Sequence, residues 1–153
     1  MAKTEWYEKK IGKAQHLVYL NKKAKELEKL INKEKTMVIR GAGGRKCPLG
    51  GRAKVKDDAF FVETDSDMMV TYKGIISKVI ESEKMTLEQS EAFIKKYEKE
   101  LNLSKEQYIR WNGKNYLAVY EISNLQQIIP FKYRRDKNMD DWVITDDINK
   151  IKL

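Results

Sequence analysis

Residues 35–52 read KTMVIRGAGGRKCPLGGR, a short apolar run that leads into a loop rich in glycine and positive charge. The glycines of this stretch are Gly41, Gly43, Gly44, Gly50 and Gly51, and its cations are Lys35, Arg40, Arg45, Lys46 and Arg52. Glycine lets a backbone approach another molecule closely, and the cations surround that approach with positive charge. The stretch predicts a strand followed by a loop that binds a partner carrying phosphate or carboxylate groups. A surface turn without a partner is the alternative for the glycines.

Positive charge is concentrated in the first third of this basic protein. Residues 1–56 contain 16 Lys or Arg and 5 Asp or Glu, a net charge of +11. Because the whole chain carries +8, the remaining residues carry −3. A single basic half is typical of nucleic-acid binding, although a solvated lysine-rich helix would give a similar count.

The length and composition predict one folded domain. A chain of 153 residues with 41% hydrophobic residues can bury a core, so we expect a single domain over residues 1–153. Residues 130–153 are expected to form a C-terminal extension packed on it. No apolar run approaches the roughly 20 residues that cross a bilayer, and no signal-peptide core is visible at the N-terminus. We therefore expect a cytoplasmic protein with no membrane partner.

Few residues suit metal or nucleophilic chemistry. The chain has one cysteine, Cys47, and one histidine, His16, so we expect no metal, no cofactor and no internal disulfide. His16 opens the strand-like run HLVYL and is interpreted as a structural histidine. GAGGRK fails as a dinucleotide fingerprint because Lys46 stands where Gly or Ala is required. No Walker-type lysine followed by Ser or Thr is present either.

The pattern of apolar residues predicts an α+β fold. Strands are predicted at 16–20, 36–40, 59–63, 68–80 and 115–122, with a short strand around Trp142. Helices are predicted at 22–33, from Thr86 and from Ser104, the last two with capping boxes. Gly74 within the long strand predicts a bulge or bend. These elements indicate a small β-barrel or strongly curled, mainly antiparallel sheet with flanking helices.

The predicted core draws on most of these elements. It comprises Leu27, Leu30, Ile31, Val38, Phe60, Val70, Ile75, Val79, Phe93, Leu117 and Val119. Strand alternation places Thr36, Val38 and Arg40 on one face and Met37 and Ile39 on the other. Val38 could then face either the core or a cleft.

The segment from Lys33 to Arg40 resembles a motif of the ASCH domain, a member of the PUA-like superfamily. It reads Lys33-Glu34-Lys35-Thr36-Met37-Val38-Ile39-Arg40, against the family pattern Gly-x-Lys-Thr-x-Glu-x-Arg. Lysine, threonine and arginine match, whereas Lys33 replaces the glycine and Val38 the glutamate. The resemblance runs from the first helix to residues 115–122 and includes KGIISKV at 73–79. It implies a small β-barrel with helices on its flank, in a superfamily of RNA-binding domains and modified-base readers.

One departure from the family pattern bears on catalysis. Some ASCH proteins resemble amidohydrolases that act on modified pyrimidine nucleosides with a lysine, a glutamate and a threonine three residues after the lysine. Val38 stands at that threonine position, and an alkyl side chain cannot be a nucleophile. We expect no hydrolysis of such nucleosides. The enzyme alternative would need Lys35 and Thr36 with Glu63 or Glu121 for acid–base chemistry.

The first hypothesis is a nucleic-acid-binding module that recognises RNA, rather than DNA, or a modified base. The predicted contacts are Lys35, Thr36, Arg40, Gly43, Gly44, Arg45, Lys46, Arg52 and Trp111. Arg40 suits a bidentate contact to phosphate or a base edge. Trp111, before the turn dipeptide Asn112-Gly113, suits either base stacking or a core anchor. The alternatives are the small nucleoside hydrolase and a protein-interaction domain for an acidic partner; the oligomeric state stays open.

Overall fold

A computed structural model describes residues 14–43, 52–64, 67–134 and 142–153. The strands are β1 Gln15–Leu20, β2 Met37–Ala42, β3 Asp58–Glu63, β4 Val70–Glu81, β5 Tyr116–Phe131 and β6 Trp142–Thr145. The helices are α1 Glu26–Ile31, α2 Leu87–Lys96, α3 Glu98–Leu101 and α4 Lys105–Trp111, and a 3₁₀ turn covers Ile148–Lys150. No helix in these ranges is long and apolar enough to cross a membrane.

The strands form one six-stranded sheet in the order β2-β5-β4-β3-β1-β6. Only β1 and β3 pair in parallel among the described strands, and the other pairs are antiparallel. The sheet curls into a half-barrel, so strands that are distant in this order meet across its concave side. Arg40 of β2, for example, donates a hydrogen bond to the carbonyl of Tyr19 in β1. The predicted α+β fold with a curled, mainly antiparallel sheet is confirmed.

Strand β2 is buried on both faces. Val38 is fully buried in the concave core, which contains Val18, Leu20, Phe61, Ile76, Tyr120 and Trp142 and is covered by Leu27 and Leu30 of α1. Met37 and Ile39 point to the opposite face, where they pack with Ile94, Leu101 and Trp111 from the helices. The predicted alternation is confirmed, and it places Val38 in the core.

The predicted irregularity at Gly74 is confirmed. The pairing of β4 with β5 shifts register between Lys73 and Ile75, where β5 contributes one residue more than β4. A Cβ at Gly74 would lie 2.8 Å from Cγ2 of Ile122, too close for any larger residue without rearrangement. The bulge bends the long strands and helps the sheet curl.

The capping boxes predicted two helix starts correctly, whereas both bounds of the first helix were predicted wrongly. Thr86 with Gln89 and Ser104 with Gln107 form the predicted capping boxes. The predicted helix at 22–33 is wrong in extent, because Lys25 adopts a left-handed conformation and α1 covers only Glu26–Ile31.

Four core predictions are wrong or only partly right. Ile31 is 42% exposed, since it ends α1 at the rim of a cleft. Ile75, Val79 and Phe93 are half-buried: Val79 and Phe93 pack on the edges of core clusters instead of lying inside them.

The C-terminal residues belong to the sheet and its packing. β6 pairs antiparallel with β1, from Gln15 opposite Thr145 to Val18 opposite Trp142. Ile148 and Ile151 are buried in a second cluster on the convex side, together with Leu17 and Phe60. Strand β5 is longer than predicted, and its second half reaches this cluster through Ile128 and Phe131.

Candidate nucleic-acid interface

A cleft of about 190 Å³ opens where the parallel strands β1 and β3 end. Its walls come from Tyr19 and Asn21 at the end of β1, Thr64 after β3, Arg40 of β2 and the α4 residues Glu106, Gln107, Arg110 and Trp111. The parallel pairing brings the two strand ends to the same edge, and the curl brings β2 and α4 over it. Two residues predicted from the sequence, Arg40 and Trp111, therefore meet in one cleft.

The guanidinium of Arg40 is held in a fixed position at this cleft. Its Nη1 donates to the carbonyl oxygen of Ile39 at 2.7 Å and its Nη2 to that of Tyr19 at 2.9 Å. Its Cζ lies 5.3 Å from the ring centroid of Trp142, a cation–π contact. Arg40 is only 7% exposed, so its orientation is set before any partner arrives.

Trp111 serves mainly as a core anchor. It is 6% exposed and packs in a cluster with Ile39 and Leu117. Gly41 allows this packing, because a Cβ there would lie 3.0 Å from Cε3 of Trp111. The ring supports the exposed side chain of Arg110, whose Cζ lies 4.3 Å from the ring centroid.

Arg110 was missed by the sequence reasoning. Its signal was its position directly before Trp111 at the end of a helix, and this alone does not show that the guanidinium covers the indole. The stacking surface that the cleft offers is therefore an arginine plane supported by a tryptophan.

Lys35 lies away from this cleft. Its ammonium is buried, donates a hydrogen bond to the carbonyl oxygen of Leu101 and lies 3.6 Å from Oε2 of Glu26. Burial lowers the pKa of Lys35 to about 8, although Glu26 opposes the effect. Lys29 donates to the next carbonyl, that of Asn102, at 3.0 Å. The two lysines thus bind the C-terminal end of α3, where the helix dipole favours positive charge.

The other predicted contacts are distributed differently. Thr36 is half-buried, and its backbone bonds to the carbonyl of Glu100 and the N–H of Ile122. Gly43 is exposed with open space around its Cα, and Arg52 is exposed. Gly44, Arg45, Lys46 and Cys47 lie outside the described residues. Their predicted roles stay predictions.

The residues of the enzyme alternative engage in separate contacts. Lys35 contacts Glu26, whereas Oε1 of Glu121 accepts a hydrogen bond from Oγ of Ser77 at 2.8 Å. Glu63 ends β3, and the fully buried Val38 is part of the concave core. Within the described ranges, no group of three or more His, Cys, Asp and Glu is placed to hold a metal ion.

His16 is the structural histidine that its position in β1 predicted. Nε1 of Trp142 donates to Nδ1 of His16 at 3.0 Å, so the ring proton resides on Nε2, which lies 2.8 Å from Oδ2 of Asp57. His16 is fully buried, and this burial lowers its pKa despite the Asp57 carboxylate; the charge of Arg52 lowers it further. The neutral ring joins β1, β6 and the residue before β3.

Acid should lower the free energy of unfolding through protonation of His16. Because its pKa is lowered in the folded state, the unfolded chain binds the proton more readily below its usual value of about 6.5. The stabilising contribution is complete above that pH and is lost as the pH falls towards the lowered value. A protonated Nδ1 would face the Trp142 N–H, at a cost of about 1–3 kcal/mol. Urea unfolding from pH 8 to pH 5 measures this effect.

The matched control is His16→Gln, which cannot titrate. Its stability should be lower than that of the wild type at pH 8, and the difference should shrink as the pH falls. Parallel curves for the two proteins would contradict the assignment.

Comparison with known proteins identifies the fold. No protein-family model matches the sequence, and no curated protein matches it. Among solved structures, the ASCH protein of Zymomonas mobilis matches with a TM-score of 0.57 and 16% identity, over 77% of this chain and 73% of that one. A tyrosine-to-phenylalanine mutant of it matches with a TM-score of 0.57 and 16% identity, over 77% and 75%. A serine-to-alanine mutant matches with a TM-score of 0.56 and 14% identity, over 77% and 73%.

These matches confirm the fold that the motif resemblance implied. At 14–16% identity they concern the fold alone. The chain has the PUA-like fold of ASCH domains.

Proposed function

We propose that this protein is an RNA-binding module that holds one unpaired base of a single strand in the Arg40 cleft. The observation that carries the proposal is the presence of two positioned arginine guanidinium groups at one small cleft. Arg40 is fixed by backbone carbonyls, and Arg110 is supported by the Trp111 ring. Arginine planes stack on bases and donate to base edges and phosphates, and both uses suit single-stranded RNA.

The size of the cleft supports a single base as the occupant. Its volume of about 190 Å³ equals that of roughly six water molecules. A planar ring fits this space, whereas a whole nucleotide would have to leave its sugar and phosphate outside. A base within a duplex could not enter, so the proposal requires unpaired nucleotides.

Polar groups at the rim can read the edge of the base. The Asn21 side-chain oxygen accepts a hydrogen bond from the N–H of Ala24 at 3.0 Å, and this bond fixes the orientation of the amide group. Thr64 adds a hydroxyl at the end of the neighbouring strand. Amide and hydroxyl groups distinguish bases by their donor and acceptor patterns.

The charge distribution supports contacts to the phosphates on either side of the base. Lys22, Lys23 and Lys25 are exposed and follow Asn21 directly in the chain. Phosphate contacts of this kind supply affinity without sequence selectivity. Arg45 and Lys46, which the sequence predicts as further contacts, lie outside the described residues.

Binding to single-stranded RNA should be strong at low salt and should weaken steeply as salt increases. Each phosphate contact contributes about −0.7 to the slope of log K against log salt for a single strand. Arg110→Ala should weaken binding about tenfold, because it removes the stacking plane but leaves the buried Trp111 in place. Fluorescence anisotropy with labelled RNA at two salt concentrations measures both effects.

The matched control is Lys99→Ala, which removes the same charge from an exposed position on α3. It should reduce affinity only slightly. Equal losses for the two variants would reduce the interaction to diffuse charge. Absence of binding to single-stranded and duplex RNA and DNA at low salt would overturn the proposal and favour an acidic protein partner.

A further inference from the structure

A second cavity of about 460 Å³ lies between the end of α1 and the bulged part of β4 and β5. Its volume equals that of roughly fifteen water molecules, too large for a single ion and within the range of small-molecule sites. Leu30, Ile31, Tyr72 and Leu125 form apolar walls. Leu30, Tyr72 and Leu125 also contact the concave core, so the cavity has a firm apolar base.

Three polar side chains complete the lining. They are Lys33, Asn124 and Gln127, one ammonium and two amides. No acidic side chain belongs to the described residues that line the cavity. The combination of apolar walls, one cation and two amide donors matches a small molecule with an apolar body and a carboxylate.

The backbone at Lys33 provides a second, independent observation. Lys33 follows the C-cap of α1 and has φ of 62°, in the left-handed region that glycine adopts most easily. A lysine at this position after the C-cap is strained relative to glycine, so it carries a conformational cost that glycine would avoid. The side chain that it adds lines the cavity.

We propose that this cavity binds a small carboxylate with an apolar body, and that Lys33 pairs with the carboxylate. The apolar body packs against Ile31, Tyr72 and Leu125, and Ile31, which is 42% exposed, offers it apolar surface. The cavity is separate from the Arg40 cleft, since the two share no lining residue.

Octanoate and octanol are suitable probes, because they share an apolar chain and differ in the carboxylate. Titrations followed by ¹H–¹⁵N NMR should shift the amide signals of residues 30–33 and 124–127 with octanoate. Octanol should bind at least about tenfold more weakly, since it lacks the charge-assisted bond. Equal binding of the two probes, or no binding of octanoate, would overturn the proposal.

Two substitutions at one position test the role of Lys33. Lys33→Gln should weaken octanoate binding about tenfold. Lys33→Gly should weaken it at least as much and should also raise the melting temperature, because glycine relieves the left-handed strain. The control Lys78→Gln, an exposed lysine on β4, should leave octanoate binding unchanged. Unchanged octanoate binding in Lys33→Gly would overturn the assignment even if that variant is more stable.

Discussion

Trp142→Ala is expected to lower the free energy of unfolding by about 3–5 kcal/mol, the range for removing a large buried aromatic. The indole is 5% exposed and lies between three partners in the concave core. It donates to His16, packs 4.9 Å from the ring centroid of Tyr120 and supports Arg40. Its removal leaves a cavity where β6, β1, β5 and β2 meet. Denaturant unfolding followed by circular dichroism measures the loss.

Trp142→Phe separates packing from hydrogen bonding. It keeps an aromatic ring but leaves Nδ1 of His16 without its donor, so we expect a loss of about 1–3 kcal/mol. Val143→Ala, at the next and half-buried position of β6, should cost less than Trp142→Ala. A Trp142→Ala protein within about 1 kcal/mol of wild type would show that the indole is not central to the core.

Signals that act within a few residues predicted most of the fold. The alternation at 36–40 assigned Val38 and Met37 to opposite faces, because a strand has a period of two residues. The capping boxes at Thr86 and Ser104 located two helix starts, because both partners lie within one turn. Gly74 indicated the bulge because only a residue without a Cβ fits against Ile122 there.

Features that depend on distant residues could not be read from the sequence. His16 and Trp142 are 126 positions apart, and the antiparallel pairing of β1 with β6 brings them together. Ile31 has helical spacing from Leu27, but α1 ends there at the rim of a cavity. The sequence pattern identifies an apolar face without showing where its neighbour stops.

The candidate site was predicted only in part for the same reason. Arg40 and Trp111 were named from local cues, and the fold brings both to one cleft. Of the two alternatives for Trp111, the structure favours the core anchor, since its ring is buried and the exposed guanidinium of Arg110 covers it. Lys35 is drawn into the helix-packed side of the sheet by the carbonyl of Leu101 and by Glu26.

Lys35→Ala is expected to lower the free energy of unfolding by about 3–5 kcal/mol, because it removes one partner of a buried ion pair. The loss leaves the Glu26 carboxylate and the Leu101 carbonyl without the ammonium they contact. Lys29→Ala is the matched control, since Lys29 also donates to the end of α3 but is only partly buried. It should cost less than about 1 kcal/mol. Urea unfolding at pH 7 measures both variants.

The Lys35–Glu26 pair also predicts how the free energy of unfolding changes in alkali and how a double variant behaves. The pKa of Lys35 is about 8 in the fold, against 10.5 for a free lysine. Between about pH 8 and pH 10.5 the folded protein has released this proton while the unfolded chain still holds it, so the free energy of unfolding rises with pH over that interval, by roughly 3 kcal/mol. The stability of the wild type relative to Lys35→Met should rise over that interval. At pH 7, Lys35→Met combined with Glu26→Gln should cost less than the sum of the single changes, since each single change leaves an uncompensated buried charge and the double variant leaves none. Additive losses in the double variant, with no relative gain in alkali, would show that Lys35 contributes packing alone.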